Sequence, residues 1–198
     1  KTLAKGTASS TNNLSMFVNT ASGKVKLNGV ATVTTADIIA SNGVIHVVDK
    51  VIGLPTIVTH ATANPNFTSL VGALTGAGQP DFVTILSGTG PFTVFAPTND
   101  AFTALNTELA PGGIASVSAA NLTKVLQYHV VSGNILAASL TEGQIVPTSQ
   151  TPQTFTVQLT GGAKIKDSNN RISTVVATDV QCSNGVIHVL NKVLLPTL

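Results

Sequence analysis

The chain has 198 residues, with ten Lys+Arg against eight Asp+Glu for a formal charge of +2. At about 150 residues per domain, that length is too great for one small module and too short for two average ones. Charged residues are only 9% of the chain, against a usual share of about 25%, while hydrophobic residues stand at 43%. Thr (28) and Val (24), both strand-favouring, fill much of the gap. The ten basic residues are spread along the chain, so no stripe for nucleic acid is expected. No apolar run approaches the ~18 residues that signal a transmembrane helix. Ample hydrophobicity at low net charge argues against disorder. Cys182 is the lone cysteine, which excludes an intrachain disulfide; it reads as a small buried hydrophobe. The chain opens at Lys1 without a charged-then-apolar leader pattern, so a secretory signal, where one exists, is expected to have been removed.

Residues 1–55 contain the chain's main organisational clue. Residues 41–51, Ser-Asn-Gly-Val-Ile-His-Val-Val-Asp-Lys-Val, return at 183–193 with nine of eleven positions identical. At the same offset Asp37 falls on Asp179 and Val33 on Val175. With a small drift in register, Leu3 and Gly6 fall on Leu140 and Gly143. Residues 57–138 occur once. A period of about 140 residues is the size of a domain, not of a solenoid repeat. The expectation is that 1–56 is the C-terminal half of one domain and 57–198 a complete one, from a tandem protein.

The elements of the full repeat follow in order. Asn64-Pro65 predicts a helix start with proline at the first helical position. Phe67, Leu70, Val71 and Leu74 then share one helical face. A second short helix is expected from Pro80 to Leu86, and a strand over Phe92-Thr93-Val94-Phe95. Thr98 is placed to cap the next helix, with Asp100 at the positive end of its dipole. Ser118 caps another, running to Tyr128. The remainder is strand-rich. Residues 154–160 alternate Phe155, Val157 and Leu159 with polar residues. Strands are also expected at 164–166 and 172–180. Asn184-Gly185 predicts a tight turn at positive φ. Residues 186–195 are apolar on both faces, as in a central strand. Helices and strands segregate, so the class is α+β.

Residues 93–102, Thr-Val-Phe-Ala-Pro-Thr-Asn-Asp-Ala-Phe, resemble the first signature of fasciclin-type domains. Tyr128-His129 sits at that family's Tyr-His pair, and 183–196 resembles its second signature. The resemblance spans about 140 residues. It implies a twisted β-sandwich or wedge with several packed helices. It also implies an extracellular or periplasmic setting, secreted or at the cell surface. There such domains adhere to cell-surface or matrix proteins and glycans, commonly in tandem and without catalysis.

The candidate recognition residues follow from that resemblance. Asp37-Ile38 and Asp179-Val180 resemble the family's Asp-Ile element, implicated in integrin binding; the second copy departs, with Val180 for Ile. Tyr128-His129 carries the same association. Its structural reading places the rings in hydrogen bonds to the Thr98, Asn99, Asp100 turn, because buried Tyr and His need polar partners. His46 and His188 are one repeat position seen twice and read as core histidines. No His or Cys cluster, calcium loop or nucleophile elbow appears, so no metal, cofactor or enzymatic activity is expected. Three sequons occur, at Asn13, Asn66 and Asn121. The alternative function is a carrier of a small apolar, carotenoid- or lipid-like ligand, using a groove opened in the aliphatic core. Residues 1–56, unable to bury both faces alone, are expected to need a second chain or a neighbouring copy.

Overall fold

The computed structural model describes residues 5–6, 9–21 and 23–198. The overlap of Leu3 with Leu140 lies outside them. The regular elements described in the first portion are strands: β1 (Lys5–Gly6), β2 (Ser9–Asn13), β3 (Val18–Asn19), β4 (Lys26–Leu27), β5 (Ala31–Ala40) and β6 (Gly43–Val48). Strands β1 and β2 pair with each other, and β3-β4-β5-β6 form a four-stranded sheet in that order.

The helical layer follows, with α1 (Ile57–Ala63), α2 (Thr68–Leu74) and α3 (Phe82–Ser87), then β7 (Phe92–Pro97), α4 (Asn99–Glu108) and α5 (Ala119–Tyr128). Next come β8 (Val130–Ser132), β9 (Ile145–Pro147), β10 (Thr154–Gln158), β11 (Lys164–Lys166), β12 (Ile172–Cys182) and β13 (Gly185–Leu190). The α+β class is as expected. The main sheet runs β8-β7-β13-β12-β11-β10-β9, with β13 and β7 parallel.

Local chemistry explains most boundaries. Thr98 and Ser118 accept from the backbone N–H three residues on, at 3.3 and 3.2 Å, and so cap α4 and α5. Asp81 caps α3 in the same way at 2.9 Å. Two expectations shift. Asn64 caps a single 3₁₀ turn, Pro65–Phe67, and the α-helical path begins only at Thr68. The turn between β12 and β13 is Ser183-Asn184, and no residue in it takes positive φ. Gly185 is required for a different reason. A Cβ there would collide with the Phe92 carbonyl across the parallel pair.

Alternation along β7 divides the core in two. Val94 and Ala96 face the helices with Phe67, Leu70, Phe102, Leu126 and Ile187. Phe95 faces the other way, into a second cluster with Tyr128, Val131, Phe155, Val157, Ile165 and Leu190. That cluster draws on both ends of the sheet, so the sheet curls around it. β13 is an interior strand between β7 and β12, with Val186, Ile187, His188 and Leu190 all buried, as a two-sided strand should be.

The first portion is tied to this body near Ser15. Its N–H donates to the Gln181 carbonyl, and its hydroxyl accepts from the Gln181 N–H, both at 2.9 Å. Ala31 and Asn28 are buried. Gly29, at φ 68, brings its backbone so close to Ala63 of α1 that a Cβ would overlap it.

Candidate recognition site

The repeat seen in the sequence is a repeat in three dimensions. In β5–β6 the paired residues are Val33/Val48, Thr35/Val47, Ile38/Ile45, Ile39/Val44 and Ala40/Gly43. In β12–β13 they are Val175/Leu190, Ala177/Val189, Val180/Ile187, Gln181/Val186 and Cys182/Gly185. Each pair is shifted by the same offset, and each hairpin has the same two register shifts. These bulges carry an extra residue outward and bend the strand.

Asp37 and Asp179 sit at the end of these bulges, at φ 59 and 57. Left-handed backbone is uncommon outside glycine, and Asp and Asn tolerate it best. A histidine across the hairpin helps hold each bulge. The Asp37 N–H donates to His46 Nδ1 at 3.3 Å, and the Asp179 N–H to His188 Nδ1 at 3.4 Å. Accepting at Nδ1 leaves the proton on His188 Nε2, which donates to the Ile135 carbonyl at 2.8 Å. His188 is buried as expected, which holds it below its ordinary pKa, whereas His46, also expected in the core, has a side chain 51% exposed because no helix covers its strand. The Asp179 carboxylate accepts from the Ala137 N–H at 2.9 Å. Beside it Val176, Ala177 and Thr178 are exposed, as are Thr34, Thr35 and Ala36 in the first copy. Asp37 and Ile38 are exposed, whereas Asp179 and Val180 are partly covered.

Tyr128 and His129 lie elsewhere, and both are buried. Neither ring bonds to the Thr98–Asp100 turn, contrary to expectation. Tyr128 points into the curled sheet, where its hydroxyl donates to the Thr154 carbonyl at 2.7 Å and accepts from the Ser168 N–H at 3.1 Å. Burial raises its pKa. His129 follows α5 as its C-cap. Its Nδ1–H donates to the Val125 carbonyl at 2.7 Å, and Nε2 accepts from the Leu194 N–H at 2.9 Å. Full burial pushes its pKa down to about 4. The turn residues work among the helices instead. Asn99 accepts from the Ser69 N–H at 2.9 Å and donates to the Pro65 carbonyl at 2.8 Å, locking α4 to the start of α2. Asp100 is exposed in the first turn of α4. The rings of Tyr128, Phe155, Phe95 and His188 are successive neighbours, with centroids 6.2, 4.9 and 5.2 Å apart. Tyr128 and the Asp179 bulge are therefore linked by a row of packed rings and share no surface.

Asn184, expected only as a turn residue and repeated at Asn42, holds several elements together. Its side chain accepts from the Ile57 N–H at 3.0 Å and donates to the carbonyls of Leu86 and Gly88 at 2.7 and 2.9 Å. It thus joins α1, the end of α3 and the β12–β13 turn. Cys182 is buried, and its thiol is pushed up to about 12 by desolvation. Among the described residues no three His, Cys, Asp or Glu gather as metal ligands, and no helix is long and apolar enough to cross a membrane. Two apolar cavities in the helical layer measure about 40 and 60 Å³. Each admits a few waters at most, and a wider, open groove of about 530 Å³ lies beside them, lined by Phe102, Ile114, Val117 and Leu122 with Gln79, Thr103 and Asn106.

The comparisons agree with this architecture. The sequence profile described as Fasciclin domain matches residues 1–55 and 65–196. Protein sll1483 of Synechocystis sp. is 41% identical over 145 residues, covering 72% of this chain and 74% of the relative. Immunogenic protein MPB70 of Mycobacterium bovis is 35% identical, covering 69% of this chain and 66% of the relative. Human periostin is 31% identical over 195 residues, which is 93% of this chain but 21% of periostin. A solved FAS1 domain pair from the insect cell adhesion molecule fasciclin I shares the fold at a TM-score of 0.65 and 23% identity, covering 91% of this chain and 66% of that one. With its profile matched over most of its length and a bacterial relative largely spanned, this chain belongs to the fasciclin domain family.

Proposed function

We propose that the protein is a non-catalytic adhesion or surface-interaction module, secreted or displayed at the cell surface. In this reading 1–56 is the C-terminal half of a fasciclin-type domain and 57–198 a complete one, from a tandem protein. The likeness to the domain pair of an insect adhesion molecule supports both parts.

One observation carries the recognition site: the Asp-ended bulge, built identically in both hairpins. It remains exposed at Val176, Ala177 and Thr178 even where the partner strand β13 is almost wholly buried. A left-handed aspartate beside small and apolar residues offers an acid and a contact surface on a backbone whose N–H is held by a histidine. Such a site suits a cell-surface or matrix protein or glycan, engaged by shape and hydrogen bonds. With charged residues at 9%, electrostatic steering has little part. Tyr128 and His129 serve this surface from below, by holding the sheet that carries it.

The test is immobilised-ligand binding and cell attachment, comparing the unaltered chain with Thr178→Arg and Asp37→Asn. Thr178 and Asp37 are exposed, so both variants should keep the fold. Binding that drops about tenfold or more with either, a loss of at least ~1.4 kcal/mol, supports the site. Binding unchanged in both places recognition elsewhere. Lack of attachment to any matrix, cell or glycan surface removes the adhesion reading.

A further inference from the structure

His60 lies on the side of α1 that meets the first portion of the chain, and it is only 4% exposed. Among the described residues two buried side-chain polar atoms have no hydrogen-bond partner, His60 Nε2 and Gln181 Oε1. Buried polar atoms are nearly always paired, so two orphans beside one residue are informative. That residue is Ser15. Its backbone carbonyl faces the His60 ring, and it exchanges two 2.9 Å hydrogen bonds with the Gln181 backbone. One turn further along α1, Ala63 is the residue that Gly29 presses against. Ser15 and Gly29 thus form a seam between the first portion and the body, and both orphaned atoms belong to residues along it.

The surroundings of His60 offer no counter-charge. Helices α2 and α3 and the turn Pro65–Phe67 pack against α1 and contain no titratable side chain. Asp81, which caps α3, is held by Thr84. Strand β13 also packs on α1, but its His188 turns the other way, onto Phe95. On β12, Asp179 is bonded to the Ala137 N–H, and Cys182 stays a neutral thiol. Residues 14–18 and 28–30 carry no charge, and Lys24 and Lys26 are exposed. A proton added to the ring therefore meets no carboxylate, and a donor at Nε2 finds no acceptor. Burial already holds the ring below its ordinary pKa, against the opposing pull of the Ser15 backbone. Opening the seam gives the charged ring to water.

We propose that this seam is an acid-released latch, in which protonation of His60 parts Ser15 and Gly29 from the body while the body stays folded. The open seam takes up a proton below the ordinary histidine value of about 6.5, and the closed seam resists it. Closure is therefore complete above that pH and weakens by as much as about tenfold per pH unit below it. The Asp37 and Asp179 bulges lie on opposite sides of the seam. The link that remains between them when the seam opens, residues 49–56, contains no helix or strand. Release thus frees the two exposed bulges to move independently.

The test is hydrogen exchange read by NMR on the whole chain from pH 7.5 to 5, expressed as protection relative to the unfolded amide. The Ser15 and Gln181 N–H groups should be less protected than those of Phe95 and Val157, which are bonded within the body. Their protection should fall below pH 6.5, by up to about tenfold per unit. His60→Gln should flatten that slope, whereas His129→Gln should leave it. A second variant opens the seam without touching the histidine. Gly29→Val places a side chain against Ala63 at positive φ, and the His60 ring should then titrate near 6.5, higher than in the unaltered chain. Four results overturn the latch. They are Ser15 protection independent of pH, a slope that survives His60→Gln, a His60 midpoint unmoved by Gly29→Val, and exchange at Ser15 that matches Phe95 and Val157 at every pH.

Discussion

Acid should destabilise this protein through His129, and the size of the effect can be worked from its surroundings. Both ring nitrogens are committed to buried backbone groups, Nδ1–H to the Val125 carbonyl and Nε2 to the Leu194 N–H. Protonation turns Nε2 from acceptor to donor, facing another donor. Burial therefore lowers the folded-state pKa from 6.5 to about 4. Between those values the unfolded chain binds a proton that the folded chain refuses, so stability rises with pH in this window. His129's contribution is complete above about pH 6.5 and falls away as the pH drops towards 4. At about 1.4 kcal/mol per pH unit, the loss reaches about 3 kcal/mol. His188, also lowered by burial, acts in the same direction. The assay is urea unfolding at intervals from pH 7.5 to 4, on the unaltered chain and on His129→Gln. The amide retains a donor and an acceptor but does not titrate, so the variant starts less stable and has a shallower pH slope. Equal slopes in the two proteins would refute the argument, as would an NMR titration midpoint for His129 near 6.5.

Other expectations are simpler to check. Tyr128→Phe removes the hydroxyl that receives the Ser168 N–H and donates to Thr154; chemical denaturation should show a loss of about 1–3 kcal/mol with the fold retained. Gly185→Ala should cost more than ~2 kcal/mol, because the Phe92 backbone must move, whereas Gly43→Ala should stay within about 0.5 kcal/mol. Equal losses in a thermal unfolding comparison would contradict the difference in cover between the hairpins. Cys182, buried with its thiol pushed up to about 12, should resist a thiol reagent in the native protein and react promptly in denaturant.

Much of the local structure was legible because it is determined by neighbours in sequence. Thr98 and Ser118 stop short of their helices with a hydroxyl free to accept an N–H, and they cap as expected. The alternation in 154–160 and the apolar run from 186 follow from the two-residue period of a strand. Helix α1 has no clear local signal because Ile57, Val58 and Thr59 are β-branched and favour strands; packing of Ile57 and Ala61 into the helical core overrides that preference. The 3₁₀ turn at Pro65 was hidden because a proline-led helix start looks the same in either geometry.

The candidate site divides along the same line. The repeat of 41–51 at 183–193 already implied one backbone built twice, and the shared register, the bulges and the Asp-to-His hydrogen bonds are that implication realised. Where Tyr128 and His129 send their rings depends on Thr154, Ser168 and Leu194, residues 26 to 65 positions away, and no local pattern specifies it. Burial is likewise a property of what stands opposite. Eleven residues, nine of them the same, form the turn and second strand of one hairpin in two places; β7 and the helices cover the second and leave the first open. Sequence by itself determined the hairpin, since its hydrogen bonds and bulges close within a short stretch of chain. Only the tertiary structure decided which copy is core and which is surface, because the strand that makes the difference comes from elsewhere in the fold.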